Sequence, residues 1–184
     1  MNVGIVASRY ARALLKFVQE TGNGDKVYSQ VCVIVLRMKE VEQLKAYVCD
    51  RKSLGPDRKL ELLETALGEP MSVEIKRFVS LVHKNGRMTH ILRMFYSFIT
   101  MYRQESGIKV GRLITAMPAE GLKEKMEKAF SERTGADVRL EMKVNPDIIG
   151  GFIFELDDLR LDASVEGRFR KIRKQLIEKN NRIV

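Results

Sequence analysis

Few side chains in this sequence are of the types that carry chemistry, and their spacing argues against the reactions they could perform. Cys32 and Cys49 are its two cysteines, and His83 and His90 its two histidines. The cysteines stand too far apart for a Cys-x-x-Cys motif, and the histidines do not complete a zinc ligand set. They read as reduced thiols, one of them packed in a helix face as a small hydrophobe. His83 falls just before a helix end and His90 just after the next start, where a histidine is satisfied without catalysing. Asp157, Asp158 and Asp162 could suggest a metal or a general acid–base pair. A hairpin tip accounts for the first two and a strand-to-helix turn for the third, since aspartate favours both settings. Gly22-Asn23-Gly24 lacks the preceding strand and later glycine of a dinucleotide loop, and no nucleophile elbow or phosphate loop appears. No catalytic group, metal or cofactor is expected, so the chain reads as a binding protein rather than an enzyme.

The elements that position these residues are mostly helices. Val6, Tyr10, Ala13, Leu14 and Phe17 recur at helical spacing, and Ala7, Ala11, Leu15 and Val18 widen that face. Arg9, Arg12, Lys16 and Glu20 fill a narrow remainder. A helix packed on one core needs an apolar arc of only about 100°, so this one carries more apolar surface than a small bundle requires. Gly22 to Asp25 ends it and caps a long second pattern running from Val27 to about Val48. Gly55-Pro56-Asp57 starts another helix, with Leu60, Leu63 and Leu67 on one face. Ser72 is positioned to cap a segment carrying Ile75, Phe78, Val79 and Val82, which Asn85-Gly86 terminates. Met88 to Tyr102 supplies the last helix of a six-helix bundle over residues 1–105.

Beyond Glu105 the pattern changes to a small β-α-β-β-β-α unit over residues 106–184. Ile108 to Ala116 is β-branched and apolar, with imperfect alternation around Gly111. A helix carrying Leu122, Met126 and Phe130 ends at Thr134-Gly135. Val138, Leu140, Met142 and Val144 alternate strictly with charged residues, the pattern of a half-buried strand. Phe152–Leu156 and Leu159–Asp162 flank Asp157-Asp158 as a hairpin. Ser164 caps a final helix carrying Val165, Phe169, Ile172 and Leu176. Gly167 inside that helix suggests close packing against a neighbouring element. The fold class is therefore mainly α with a small α+β part.

The formal charge of +9 asks for a decision about partners. The excess is spread over both parts, 17 basic against 11 acidic residues up to Glu105 and 16 against 13 beyond it. Arg168, Arg170, Lys171, Arg173 and Lys174 form the dense cluster. A nucleic-acid-binding protein using this basic last helix is the alternative, but no interleaved aromatics or recognition-helix pattern accompany it. A solvated helix face fits better. No apolar run reaches the roughly 18 to 20 residues that span a bilayer, and the amino terminus reads as a helix of the mature fold rather than a signal.

From Ser131 to Leu176 the sequence runs SERTGADVRLEMKVNPDIIGGFIFELDDLRLDASVEGRFRKIRKQL. This closely resembles the carboxy-terminal signature of the delta subunits of F-type ATP synthases, whose mitochondrial counterpart is the oligomycin-sensitivity-conferring protein. Arg133-Thr134-Gly135, Pro146, Ile149-Gly150-Gly151, Asp162, Ser164-Val165 and Gly167-Arg168 carry the likeness. Arg9-Tyr10-Ala11-Arg12-Ala13-Leu14 and Asn85-Gly86-Arg87 extend it over essentially the whole chain. Two positions depart from the family pattern: Ala163 where glycine is common, and Glu166 where a basic residue is common.

The resemblance implies a non-catalytic stator subunit, present in one copy per complex. Its helical domain would grip the amino-terminal helices of alpha subunits on the catalytic head, and its carboxy-terminal domain would bind the b subunits of the peripheral stalk. Holding the head against the rotor lets proton-driven rotation do work on the catalytic sites. The chain would then sit on the cytoplasmic face of a bacterial inner membrane, attached through the complex alone. The wide arc of the first helix acquires a purpose in this frame, a groove for a partner helix. Tyr10, Ala13, Leu14 and Phe17 are expected to form one wall, and Phe78, Leu81 and Val82 the other.

Overall fold

The computed structural model describes residues 3–50, 55–119, 121–156 and 159–180, with side chains up to residue 173. The chain divides into two compact units, Met1–Glu105 and Ser106–Val184. The described residues are mostly helical, with a small four-stranded sheet.

Unit 1 holds α1 (Val3–Thr21), α2 (Gly24–Glu40), α3 (Glu42–Cys49), α4 (Pro56–Leu67), α5 (Val73–Lys84) and α6 (Ile91–Glu105). Its core is built on α6, whose Ile91, Met94, Phe95 and Phe98 are fully buried. α1 packs on α6, α2 and α5 at once. That accounts for its wide apolar arc: Ala7, Tyr10, Ala11, Leu14, Leu15 and Val18 are all buried within the unit. Small residues at 7 and 11 let neighbouring helices approach, and the larger ones fill the space between them. The arc is used by the fold itself.

Three local expectations change. The long second pattern forms two helices, divided at Val41, whose backbone is extended (φ −112°, ψ 96°). Spacing alone does not reveal the break, because Val48 is buried on α3 just as it would be on an unbroken amphipathic helix. Ser72 stands before α5, but its hydroxyl makes no cap bond. Its N–H donates to Gln30 Oε1 at 2.9 Å, and Asn23 before α2 likewise sends its amide to Glu74 Oε1 at 2.8 Å rather than to its own helix. On α4 the inward residues are Lys59 and Leu63, while Leu60 and Leu67 are half-buried. The Lys59 ammonium donates to the Val48 carbonyl at 3.3 Å and to that of Asp50, tying the end of α3 to α4. Its burial pushes the ammonium below the ordinary lysine range, an effect that Asp50 opposes.

Unit 2 holds β1 (Ile108–Thr115), α7 (Leu122–Thr134), β2 (Asp137–Val144), β3 (Phe152–Leu156), β4 (Leu159–Asp162) and α8 (Val165–Asn180). The sheet order is β2-β1-β3-β4. α7 supplies the crossover that a parallel β1–β2 pair requires, and the other pairs are antiparallel. Gly111 is required by its neighbours: a Cβ there would stand 2.7 Å from the Glu155 carbonyl oxygen and 2.8 Å from Leu140 Cδ2. That explains the interrupted alternation of β1. α7 covers one face through Leu122, Met126 and Phe130, packed on Leu113, Val138, Leu140, Phe154 and Leu156. The Phe130 and Phe154 rings stack at 3.9 Å.

The cover is partial. Met142 and Val144 are exposed although they continue the apolar side of β2, so only the first half of that strand is half-buried. On the opposite face the register lines up Glu141, Arg112, Glu155 and Arg160 as a row of alternating charge across all four strands. Glu155 pairs with Arg112 at 3.6 Å and with Arg160 at 3.5 Å. The tip of the hairpin, Asp157-Asp158, lies outside the described residues.

Candidate functional site

Two clusters gather the short motifs of the sequence, one in each unit. In unit 1 the centre is the Tyr10 hydroxyl. α5 ends in a Schellman turn, with Gly86 at φ 63° and bonds from Gly86 N to the His83 carbonyl and Arg87 N to the Val82 carbonyl. The turn delivers Asn85 Nδ2 to the Tyr10 hydroxyl at 2.9 Å and Arg87 Nη1 to it at 2.8 Å. The Arg87 guanidinium also lies over the Tyr10 ring, 5.3 Å from its centroid, and Phe78 meets that ring edge-on at 6.4 Å. The Arg9-to-Leu14 segment and the Asn85-Gly86-Arg87 turn, 75 residues apart at Tyr10 and Asn85, are thus one clasp between α1 and α5.

The residues expected to wall a groove separate into two groups. Tyr10, Leu14, Phe78 and Val82 are buried, Val82 completely. They belong to the core of unit 1, because α1 must satisfy three helices, and they cannot offer a partner much surface. Ala13 and Leu81 are exposed, Leu81 by 48%, and Phe17 is half-buried under the Arg77 guanidinium. Sequence spacing put Arg9, Arg12 and Lys16 on the polar remainder of α1, but not Ile5 and Ala13 beside them. Gly4, Ile5, Ser8, Arg9, Arg12, Ala13 and Lys16 form one stripe of α1 beside an open depression. Ile5 is 60% exposed, and three of the seven residues are cations. The accessible face of α1 is therefore basic with apolar islands.

In unit 2 the glycines and Asp162 form a second cluster. Gly151, at φ 77°, lies so close to the β4–α8 turn that a Cβ would meet the Ala163 carbonyl oxygen at 2.4 Å. Gly167 lies against Asp162, where a Cβ would meet Oδ1 at 2.5 Å. Asp162 Oδ1 accepts from Ser164 N at 3.0 Å and Ser164 Oγ at 2.5 Å. Ser164 Oγ in turn accepts from Gly167 N at 3.0 Å, capping α8. These bonds, the hydroxyl's first, hold the Asp162 carboxyl below its usual range. The Gly150 carbonyl accepts from Val165 N at 2.9 Å, which ties the loop before β3 to the same helix start.

Ala163 fits without glycine, because its φ is not positive. Glu166 sits in the first turn of α8, favourable for a carboxylate, and pairs with Arg170 at 2.5 Å. It neutralises one cation and leaves Arg168, Lys171 and Arg173 on an exposed face. Phe169 and Ile172 are also exposed, by 65% and 52%, while the side chains of Lys174 and Leu176 lie outside the described residues.

Among the described residues, no group of three His, Cys, Asp or Glu side chains could hold a metal ion. Both clusters fix elements to one another, α1 to the end of α5 and β4 to the start of α8. The family model for the ATP synthase delta (OSCP) subunit matches residues 6–176, which includes both clusters. The chain belongs to the ATP synthase delta (OSCP) subunit family. Delta subunits of Phocaeicola vulgatus and Bacteroides fragilis are 36% and 35% identical to it over the full length of both chains. A chain in the cryo-EM structure of the Toxoplasma gondii mitochondrial ATP synthase hexamer has the same fold at 22% identity. That likeness covers 93% of this chain and 97% of the other, with a TM-score of 0.61. In this delta-family chain no helix among the described residues is long and apolar enough to cross a membrane.

Proposed function

We propose that this delta-family subunit acts as a stator link whose two units hold different partners. Membership of the family makes it a peripheral-stalk component of an ATP synthase, and the nucleic-acid alternative finds no support. In this reading the six helices of unit 1 form a bundle that takes the amino-terminal helix of an alpha subunit on the catalytic head. Unit 2 takes the b subunits of the stalk. The chain itself does no chemistry, and it reaches the cytoplasmic face of the membrane only through the complex.

The observation that carries the assignment for unit 1 is the exposed stripe of α1, with Ile5 and Ala13 among Arg9, Arg12 and Lys16. Leu81 on α5 and the half-buried Phe17 extend the apolar part. The matching partner is an amphipathic helix laid along α1, with carboxylates reaching the cations. Tyr10, Leu14, Phe78 and Val82 support this surface from beneath. A wholly apolar groove would bind almost independently of salt. This basic one should weaken moderately as screening increases, though far less than a phosphate-binding surface would.

The test is a titration of the full chain with a peptide of the alpha subunit's amino-terminal segment. Ala13→Asp and Leu81→Asp place a charge on exposed positions and should leave the melting temperature within a few degrees of the parent. Each should weaken the peptide by about tenfold or more, since an unpaired carboxylate must be desolvated against an apolar face. Parental affinity in both folded variants would remove the peptide from this surface.

A further inference from the structure

Ile149 holds a backbone conformation that β-branched residues avoid. Its φ is 65° and its ψ −42°, and Gly150 N donates back to the Ile148 carbonyl at 2.7 Å. This closes a three-residue turn of the strained hand. Among the described residues Ile149 is the one non-glycine with positive φ. Burial does not compensate the strain, because the side chain is 71% exposed.

Its neighbours do serve the fold. Ile148 is buried, the Gly150 carbonyl accepts from Val165 N, and Gly151 lies against Ala163. Position 149 alone in this loop carries a large side chain that the fold does not use. Glycine would adopt the same backbone at no steric cost. A strained residue persists where its surroundings over-determine it, and such residues cluster at functional surfaces.

We infer that Ile149 is an apolar anchor for the peripheral-stalk partner, aimed outward by the strained turn. Continuity with α8 supports the assignment. Gly150 lies against Val165, where a Cβ would stand 3.2 Å from Val165 Cγ2. Val165 begins the helical row that continues through the exposed Phe169 and Ile172. Exposed Arg168, Lys171 and Arg173 flank the row. The occupant that fits is a helix of the stalk subunit with an apolar stripe and acidic borders. This rests on the reading of unit 2 as the stalk-facing unit and names the residue on which that docking turns.

The experiment is a calorimetric titration of the full chain with the soluble, extramembrane part of the b subunit from the same synthase. Parent, Ile149→Gly and Ile149→Leu are compared, each with its melting temperature. Ile149→Gly relieves the turn and should melt at or above the parental temperature, the relief offsetting the freedom glycine gains in the unfolded chain. It should bind the b segment about tenfold or more weakly, as loss of an interface anchor does. Ile149→Leu keeps an apolar side chain and should stay within about threefold of the parent. Affinity for the alpha-subunit peptide should not change in either.

Parental b-segment affinity in Ile149→Gly would overturn the anchor and leave the stalk reading intact. So would a melting temperature well below the parent, which would show that the side chain works inside the fold. If the parent itself fails to bind the b segment, the reading of unit 2 falls, and the anchor with it.

Discussion

The Tyr10 hydroxyl does more for unit 1 than its ring position suggests. It accepts from both Asn85 and Arg87, so one oxygen closes α1 onto the end of α5. Tyr10→Phe keeps the ring, the Phe78 contact and the cation above it, and removes only that acceptor. Leaving two partly buried donors to find water should cost about 1–2 kcal/mol, read as a lower midpoint in urea unfolding. An unchanged midpoint would mean that the clasp does not hold the helices. The sequence shows the two motifs as separate short signals, and nothing in their spacing tells that they meet. Burial is equally hidden at this scale. Ala13 and Leu14 are adjacent and both apolar, yet Leu14 is 2% exposed while Ala13 faces solvent. A helix that packs on three others leaves no sequence mark of which apolar residues remain outside.

Among the elements, the junction of β4 and α8 is fixed by one carboxylate, and its behaviour with pH follows. The Ser164 hydroxyl and then its N–H hold Asp162 below the usual carboxyl range, with Arg160 and Arg170 adding to the effect and burial opposing it. Its folded pKa therefore lies below the unfolded value of about 3.9. As pH falls, the unfolded chain takes the proton first, so the contribution is complete above about pH 5, shrinks as pH passes the unfolded value and is gone below the folded pKa. Between about pH 5 and pH 3 the parent should lose more stability than Asp162→Asn, so their melting temperatures converge. Parallel curves would show that the carboxylate is not engaged. The junction was partly legible: the Ser164 cap and the tight environment of Gly167 follow from helix chemistry, as does the turn role of Asp162. The break at Val41 and the inward Lys59 were not, because neither glycine nor proline marks the first and the second is a charged residue. The strict alternation of β2 was legible too, but not that Met142 and Val144 on its apolar side stay exposed.

At the scale of the whole molecule, the chain divides between Glu105 and Ser106 into two compact units, each with its own core and its own accessible apolar surface. Change of periodicity made this division visible in the sequence, since helical spacing gives way to alternation at Ile108. Resemblance over the full length made the family visible as well. What spacing could not give was the chemistry of the surfaces, which depends on which faces the cores leave open. Both open faces join apolar side chains to cations, on α1 and on α8, and among the described residues no group of side chains could hold a metal. A stator link needs two sites that are occupied together. The direct measurement is analytical ultracentrifugation of the catalytic head, the full chain and the soluble b segment, mixed in pairs and all together. The account predicts that head and b segment co-sediment in one complex only when the chain is present. Binding of head and b segment to the chain in competition, so that no ternary complex forms, would contradict it.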